Sequence, residues 1–292
     1  MPDKRRCMMA IHAHPDDESS KGAGSMALYA QEGVHVVLVC ATGGEEGEIL
    51  NPRMDKPGIL DNIGEIRKAE LETACDILGV DRLYTLDYRD SGMPGRPSNK
   101  HPDAFCNADP EVVIGRLVEL IRKERPEVVL CYDESRGYEH PDHVRVNEWG
   151  TSAFSDAGNP ERFPEAGPPW QPAKLYYFAT FTKRRMQMLH ESAEEAGIES
   201  PFGGWLEQWE ESGFEEPRID AQIDVGEFLE LRNKALVAHA TQIDPESTWF
   251  ARPTEIQRRV YPWEDFTLVT TVVDVSKPED DLFAGTEDYG IG

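Results

Sequence analysis

Apolar runs alternate with helix-period segments through the first 180 residues, and that alternation predicts an α/β fold: a Rossmann-like, mainly parallel sheet with helices on both faces. Two other observations bear on it. The clusters His14-Pro15-Asp16-Asp17-Glu18 and His140-Pro141-Asp142-His143 each stand directly after a strand-like run. Past Phe181 the alternation stops, which predicts a C-terminal cap region over residues 182–292, packed on a core of residues 1–181.

Taken in order, the predicted strands of the core are 7–11, 34–40, 83–86, 128–132 and 175–181. Helices are predicted between them at 22–32, 62–78, 110–124 and 141–154. In the third, Val112, Val113, Leu117, Leu120 and Ile121 fall on one face. Residues 156–172 are rich in Pro and Gly, and 201–217 mix Gly, Trp and acidic side chains. Helices are expected at 183–196 and 225–239, the latter with Leu229, Leu236 and Val237 as its apolar set. A last strand is expected at 267–273, and the acidic tail from Ser276 is expected to be partly disordered.

A chain of 292 residues suffices for one large domain with its own core. Its 55 acidic and 30 basic residues give a formal net charge of −25, which argues against nucleic-acid and anionic-membrane partners. Five widely spaced cysteines without a Cys-x-x-Cys pair read as reduced thiols and a cytoplasmic location. The N-terminus is basic and then only briefly apolar, so no signal peptide is expected there, and no membrane span elsewhere.

Imidazole with carboxylate is a ligand set that suits zinc with a position left open for water, and ferrous iron fits the same set. His14 and Asp17, three apart in a tight turn after a strand, can both face inward as ligands. Asp16 is then free to act as general base. Glu18 is placed to support a ligand or to cap the following helix. Alone, these carboxylates would equally suit the positive end of a helix dipole, and the second His cluster decides against that. His12, two residues before His14, reads as a packed histidine rather than a ligand. His143, on the first turn of a helix, is the third ligand. His140 is close enough to face a substrate carbonyl, where an imidazolium stabilises an oxyanion and then protonates a leaving amine. Asp142 is placed to orient His140. Tyr138 supplies an oxyanion donor or ordinary loop packing, and 135–138 read as a mobile loop. Ligands of open α/β sheets bind outside the carboxyl ends of the strands, so motifs after strands one and four converge across a switch point. The chemistry is that of a metal-dependent hydrolase. The first turn lacks Gly-x-Gly-x-x-Gly, which sets dinucleotide binding aside.

These two motifs, in this order and each after a strand, resemble the LmbE and PIG-L type family of zinc-dependent N-deacetylases, which hydrolyse amides on amino-sugars. Residues 12–22, 42–52, 174–177, 185–189, 239–245 and 282–285 resemble in particular its mycothiol S-conjugate amidase branch. The resemblance implies one zinc held by His14, Asp17 and His143, with Asp16 as base and His140 and Tyr138 stabilising the tetrahedral intermediate. It implies amino-sugar contacts from Glu48, Arg67 and Asp90, and a role for Lys21 in selecting conjugates. The implied reaction cleaves the amide between S-conjugated N-acetylcysteine and glucosaminyl-inositol, releasing a mercapturate. Deacetylation of N-acetylglucosaminyl-inositol or another amino-sugar is the alternative within the family. A sugar-binding protein on the same scaffold is the non-enzymatic one, and a free carboxylate beside the ligands speaks against it. The partner implied is a small thiol conjugate of an amino-sugar and inositol; oligomeric state and the range of conjugates stay open.

Overall fold

The computed structural model describes residues 5–133, 138–200, 202–212, 216–247, 250 and 253–290. Seven strands form one sheet: β1 (Cys7–His12), β2 (His35–Thr42), β3 (Arg82–Tyr88), β4 (Val128–Cys131), β5 (Lys174–Phe178), β6 (Ala221–Asp224) and β7 (Trp263–Thr271). The helices are α1 (Asp17–Ser20), α2 (Ala23–Gln31), α3 (Ile63–Leu78), α4 (Pro110–Glu124), α5 (Pro141–Ala157), α6 (Lys183–Glu195), α7 (Gly203–Ser212), α8 (Leu229–Ala238) and α9 (Thr254–Val260). Strand order is β3-β2-β1-β4-β5-β7-β6. The first five are mutually parallel, and β7 runs antiparallel to both β5 and β6. α2, α3 and α8 pack on one another, as do α4 and α5, so two helical layers cover the sheet. Every residue of β1 and β4 is buried, which is why both read as unbroken apolar runs.

The order reverses between β1 and β4, which pair in register from Met8↔Val128 to Ala10↔Leu130. A crevice opens at such a reversal, because the connections on its two sides leave in opposite directions. Both motif turns leave the sheet there.

Several expectations need correction. α4 has the expected bounds, set by the Asp109 cap on the Glu111 amide (3.0 Å) and Pro110 in the first turn. Its buried face is Val113, Ile114, Leu117, Val118 and Ile121, whereas Val112 is 54% exposed. Val237 likewise points outward from α8, where Leu229, Ala235 and Leu236 face the core. β5 ends at Phe178 rather than 181, because the chain turns there into Thr182, whose hydroxyl caps α6. β7 starts at Trp263 and stops at Thr271, its first half being fixed by pairing with the unanticipated β6. The tail is packed, not loose. Glu279 is buried and accepts from the Lys174 ammonium and the Tyr176 hydroxyl, while Leu282 and Phe283 join the core. Beyond residue 182, β7 and β6 thus extend the central sheet while α8 packs on α2 and α3.

Candidate active site

The turn after β1 carries the first half of the site. Asp16 has φ 101°, a left-handed conformation that costs a non-glycine residue of order 1–3 kcal/mol and persists only when neighbours hold it. Arg67 of α3 does part of the holding. Its buried guanidinium donates to the Asp16 carboxylate (3.0 Å) and to the carbonyls of Pro15 (2.6 Å) and Gly44 (2.7 Å). Any side chain at Gly44, itself at φ +70°, would meet that guanidinium. α1 and Glu18 add to it: the Asp16 carbonyl accepts the Ser19 and Ser20 amides at 3.1 Å, and the fully buried Glu18 accepts the Asp16 amide at 3.0 Å and bonds His239 Nε2 at 2.7 Å.

The second half comes from the start of α5. His140 caps it, its Nδ1 accepting the Asp142 amide at 3.2 Å, with Pro141 following and Asp142 and His143 in the first turn. Adjacency of β1 and β4 brings His143 to the first turn. Asp17 Oδ2 lies 3.4 Å from His14 Nδ1 and 3.3 Å from His143 Nε2. All three donor atoms fall within 4.8 Å of one another. Edges of about 3.4 Å are what a tetrahedron with bonds of about 2.1 Å has, so the spacing fits a zinc-sized ion. The buried His143 Nε2 has no hydrogen-bond partner, the state expected of a metal-ligating nitrogen. These residues fit a divalent metal.

A second acidic group, His14, Asp90, His140 and Asp142, is equally close. The partners of Asp142 explain why it is better read as support. Asp142 accepts the Ser91 amide (2.9 Å), the Ser91 hydroxyl, and His14 Nε2 (3.2 Å). A carboxylate gripping the far nitrogen of His14 fixes which nitrogen faces Asp17 and His143. The Asp142 carboxylate therefore lies nearer His14 than His140, whose Nδ1 is 4.0 Å from Oδ2 and is met instead by the Asp142 amide. Asp90, buried, faces His140 Nε2 at 3.7 Å and His14 Nε2 at 3.5 Å.

The electrostatics separate the roles. Burial raises the Asp16 carboxyl above its ordinary value, with Arg67 opposing. For Asp17 burial acts in the same sense but is outweighed by Lys21, His143 and His14, which hold the carboxylate well below the usual range. Lys21 Nζ sits 2.7 Å from Asp17 Oδ1. Burial and the neighbouring His14 bring His140 down to about 4, which favours the neutral imidazole. His12 is a packed histidine, fully buried, 3.2 Å from the Tyr132 hydroxyl and stacked on Phe178. Tyr132 in turn stacks on His143, so His12 backs the ring that packs on His143.

A cleft of about 320 Å³ opens on the site, lined by His14, Asp16, Asp17, Glu48, Arg67, Asp90, Tyr138, His140 and His143. Tyr138, nearly half exposed, sets its ring edge-on to His143. The rest of the expected loop, 134–137, lies outside the described residues. Glu48 stands at the rim, paired with Arg96. Arg96, Glu46 and Gln242 also line this cleft and were not anticipated: Arg96 sits in a Gly-Pro loop with no periodicity, and Gln242 comes from the other end of the chain. On the other side of Tyr138 and His143, a pocket of about 50 Å³ is walled by Lys21, Tyr132, Phe178, Phe181 and Pro217.

Comparison with known proteins agrees with this geometry. The family described as PIG-L, GlcNAc-PI de-N-acetylase, matches residues 9–154, a span that holds both motif turns and Arg67. The chain is 45% identical over 293 residues to a mycothiol S-conjugate amidase of Streptomyces coelicolor, covering 99% of each. It is 38% identical over 296 residues to a 1D-myo-inositol 2-acetamido-2-deoxy-alpha-D-glucopyranoside deacetylase of Rhodococcus opacus, covering 96% of this chain and 98% of that one. Its fold resembles N,N'-diacetylchitobiose deacetylase from Pyrococcus horikoshii, with TM-score 0.63 and 20% identity over 91% of this chain and 84% of that one. The family match, the near-full-length identity to an amidase and a deacetylase, and a buried His/Asp cluster that could hold a metal together make the protein a member of the PIG-L family and an enzyme that hydrolyses carbon–nitrogen bonds of amides.

Proposed function

We propose that this enzyme is a zinc-dependent amidase acting on mycothiol S-conjugates, cleaving the amide between S-conjugated N-acetylcysteine and glucosaminyl-inositol. The observation that carries the reading is the 45% identity to an amidase of that name over the whole of both chains. His14, Asp17 and His143 hold the ion. Bound there, zinc lowers the pKa of its water to about 7 and polarises the amide carbonyl.

Asp16, with its raised pKa and its carboxylate at the cleft, takes the proton of the attacking water as the new carbon–oxygen bond forms. Tyr138 and His140 face the oxygen on which charge develops. Collapse breaks the carbon–nitrogen bond, and a protonated side chain returns a proton to the sugar nitrogen. The products are the mercapturate and the free amino-sugar. Glu48, Arg96 and Asp90 offer paired donors and acceptors suited to sugar and inositol hydroxyls. Arg67 acts through Asp16, since its guanidinium is bonded to the Asp16 carboxylate and to the Pro15 and Gly44 carbonyls.

One observation favours the sister reaction, deacetylation of N-acetylglucosaminyl-inositol. The chain is 38% identical to a deacetylase of an acetamido-glucosyl-inositol over nearly the whole of both chains. Specificity constants of the zinc-loaded enzyme on a mycothiol S-conjugate and on N-acetylglucosaminyl-inositol separate the two; preference for the acetyl sugar refutes the conjugate reading. Asp16→Ala is expected to lower turnover by about two to four orders of magnitude with zinc retained. Near-full activity in that variant removes Asp16 as base.

A further inference from the structure

The backbone of the base is held from the far end of the chain. Asp16 donates its amide to Glu18 Oε2, and Glu18 Oε1 is bonded to His239 Nε2 at 2.7 Å and to the Ser19 hydroxyl. Both members of the Glu18–His239 pair have fully buried side chains, 221 residues apart in sequence. His239 follows directly on α8, and the same turn fastens two further parts of the site. The Thr241 amide and hydroxyl donate to Glu70 of α3 at 2.8 and 2.7 Å, on the helix that carries Arg67. The Thr241 carbonyl accepts the Leu50 amide at 2.9 Å, and Gln242 Nε2 donates to the Glu48 carbonyl at 2.9 Å. None of these C-terminal residues falls within the stretch 9–154 matched by the family.

A residue at φ 101° persists only where its neighbours hold it: the Asp16 carbonyl accepts the Ser19 and Ser20 amides at 3.1 Å, and its amide and carboxylate are bonded as well. Arg67 restrains the carboxylate and the preceding carbonyl; Glu18 restrains the amide. We propose that the Glu18–His239 pair is a positioning device that keeps the Asp16 backbone in the conformation in which its carboxylate meets the attacking water. The proposal rests on Asp16 being the base. The His239 side chain bonds Glu18 and does not line the cleft, so substituting that side chain is expected to act on turnover rather than on substrate or zinc affinity.

The test uses the full-length, zinc-reconstituted enzyme with His239→Leu, His239→Gln and Asp16→Asn, singly and with His239→Leu combined with Asp16→Asn. Glu279→Gln, which breaks the buried pair at the other side of the sheet, calibrates what destabilisation alone does. Measured are kcat, KM, thermal midpoint, and zinc affinity by competition with a chromophoric chelator. His239→Leu is expected to lower kcat by roughly tenfold to a hundredfold, the scale of a misplaced catalytic group, with KM and zinc affinity unchanged. His239→Gln, which keeps an N–H donor, recovers most of that loss, and His239→Leu adds nothing in the Asp16→Asn background. If the leucine variant does not fold, Glu18→Gln takes its place, leaving one oxygen for donors that now share two, with the same kcat-only loss expected. Wild-type kcat, an equal loss in both backgrounds, or a fall that only follows the thermal midpoint as in Glu279→Gln overturns the pair's role. Full activity of Asp16→Asn overturns the base assignment instead and leaves the two failures distinct.

Discussion

Replacing Arg67 by methionine tests the electrostatic half of the site. Methionine fills much of the same volume but removes three charge-assisted hydrogen bonds, leaving the Pro15 and Gly44 carbonyls and the Asp16 carboxylate short of a donor. Breaking a buried ion pair by deleting one partner costs about 3–5 kcal/mol. The Asp16 side chain keeps 28% of its surface exposed, so water repairs part of the loss and the lower end applies. At about 2–4 °C per kcal/mol for a chain of somewhat smaller size, 3 kcal/mol lowers the melting temperature by about 6–12 °C. The pH profile gives a second readout with a definite sign. Burial already raises Asp16 and Arg67 opposes that, so losing Arg67 raises it further. A base works only when ionised, and the acid limb of kcat/KM therefore moves to higher pH in Arg67→Met. Arg67→Lys keeps the charge without the fork and falls between. Thermal unfolding of the metal-loaded variants and pH–rate profiles on one acylated amino-sugar are the assays. A melting temperature within a degree of the parent, or an acid limb that stays put or moves down, refutes the account of Arg67.

Asp142→Ala frees His14 Nε2 and both Ser91 donors, and is expected to weaken metal affinity about 10–100-fold, read by chelator competition; unchanged affinity removes the supporting role. Removing the metal is expected to abolish hydrolysis and lower the melting temperature, with recovery on adding zinc, because the ion then binds the folded state; a chelated enzyme at full rate would exclude metal dependence. Glu279→Gln leaves the Lys174 ammonium buried without its charge partner and should destabilise by about 3–5 kcal/mol, with the tail first to be cut in limited proteolysis. Parent-like protease resistance would show the pair to be dispensable.

The central strands and the cluster of His14, Asp17 and His143 were legible in the sequence for the same reason: both are local signals. An unbroken apolar run marks a strand buried on both faces, and His-Pro-Asp-Asp after one marks the strand's carboxyl end. Short or edge elements gave no such signal. β6 has four residues and owes its place to β7, while α7 and α9 lie in stretches whose Trp, Gly and acidic residues have no clear period. Val112 followed the helical arithmetic yet faces solvent, because which arc of α4 meets the sheet is set by its packing on α5. The acidic tail read as loose because Glu279 looks like surface charge until Lys174 and Tyr176 are opposite it. Asp142 presents the same problem at the site, since its partnership with Ser91 and His14 exists only once three separate segments meet.

The pairing of β1 with β4 has a kinetic consequence. Met8 and Val128 are register partners across 120 residues of chain, and the three candidate metal donors span residues 14 to 143. Closing a loop of that length is slow, and parallel strands cannot form it through a hairpin. Metal uptake by a refolding chain should therefore lag behind the formation of helices such as α3 and α4, and coincide with closure of the sheet at its centre. The ion would act as a clock for the last topological step of folding, in addition to its part in hydrolysis.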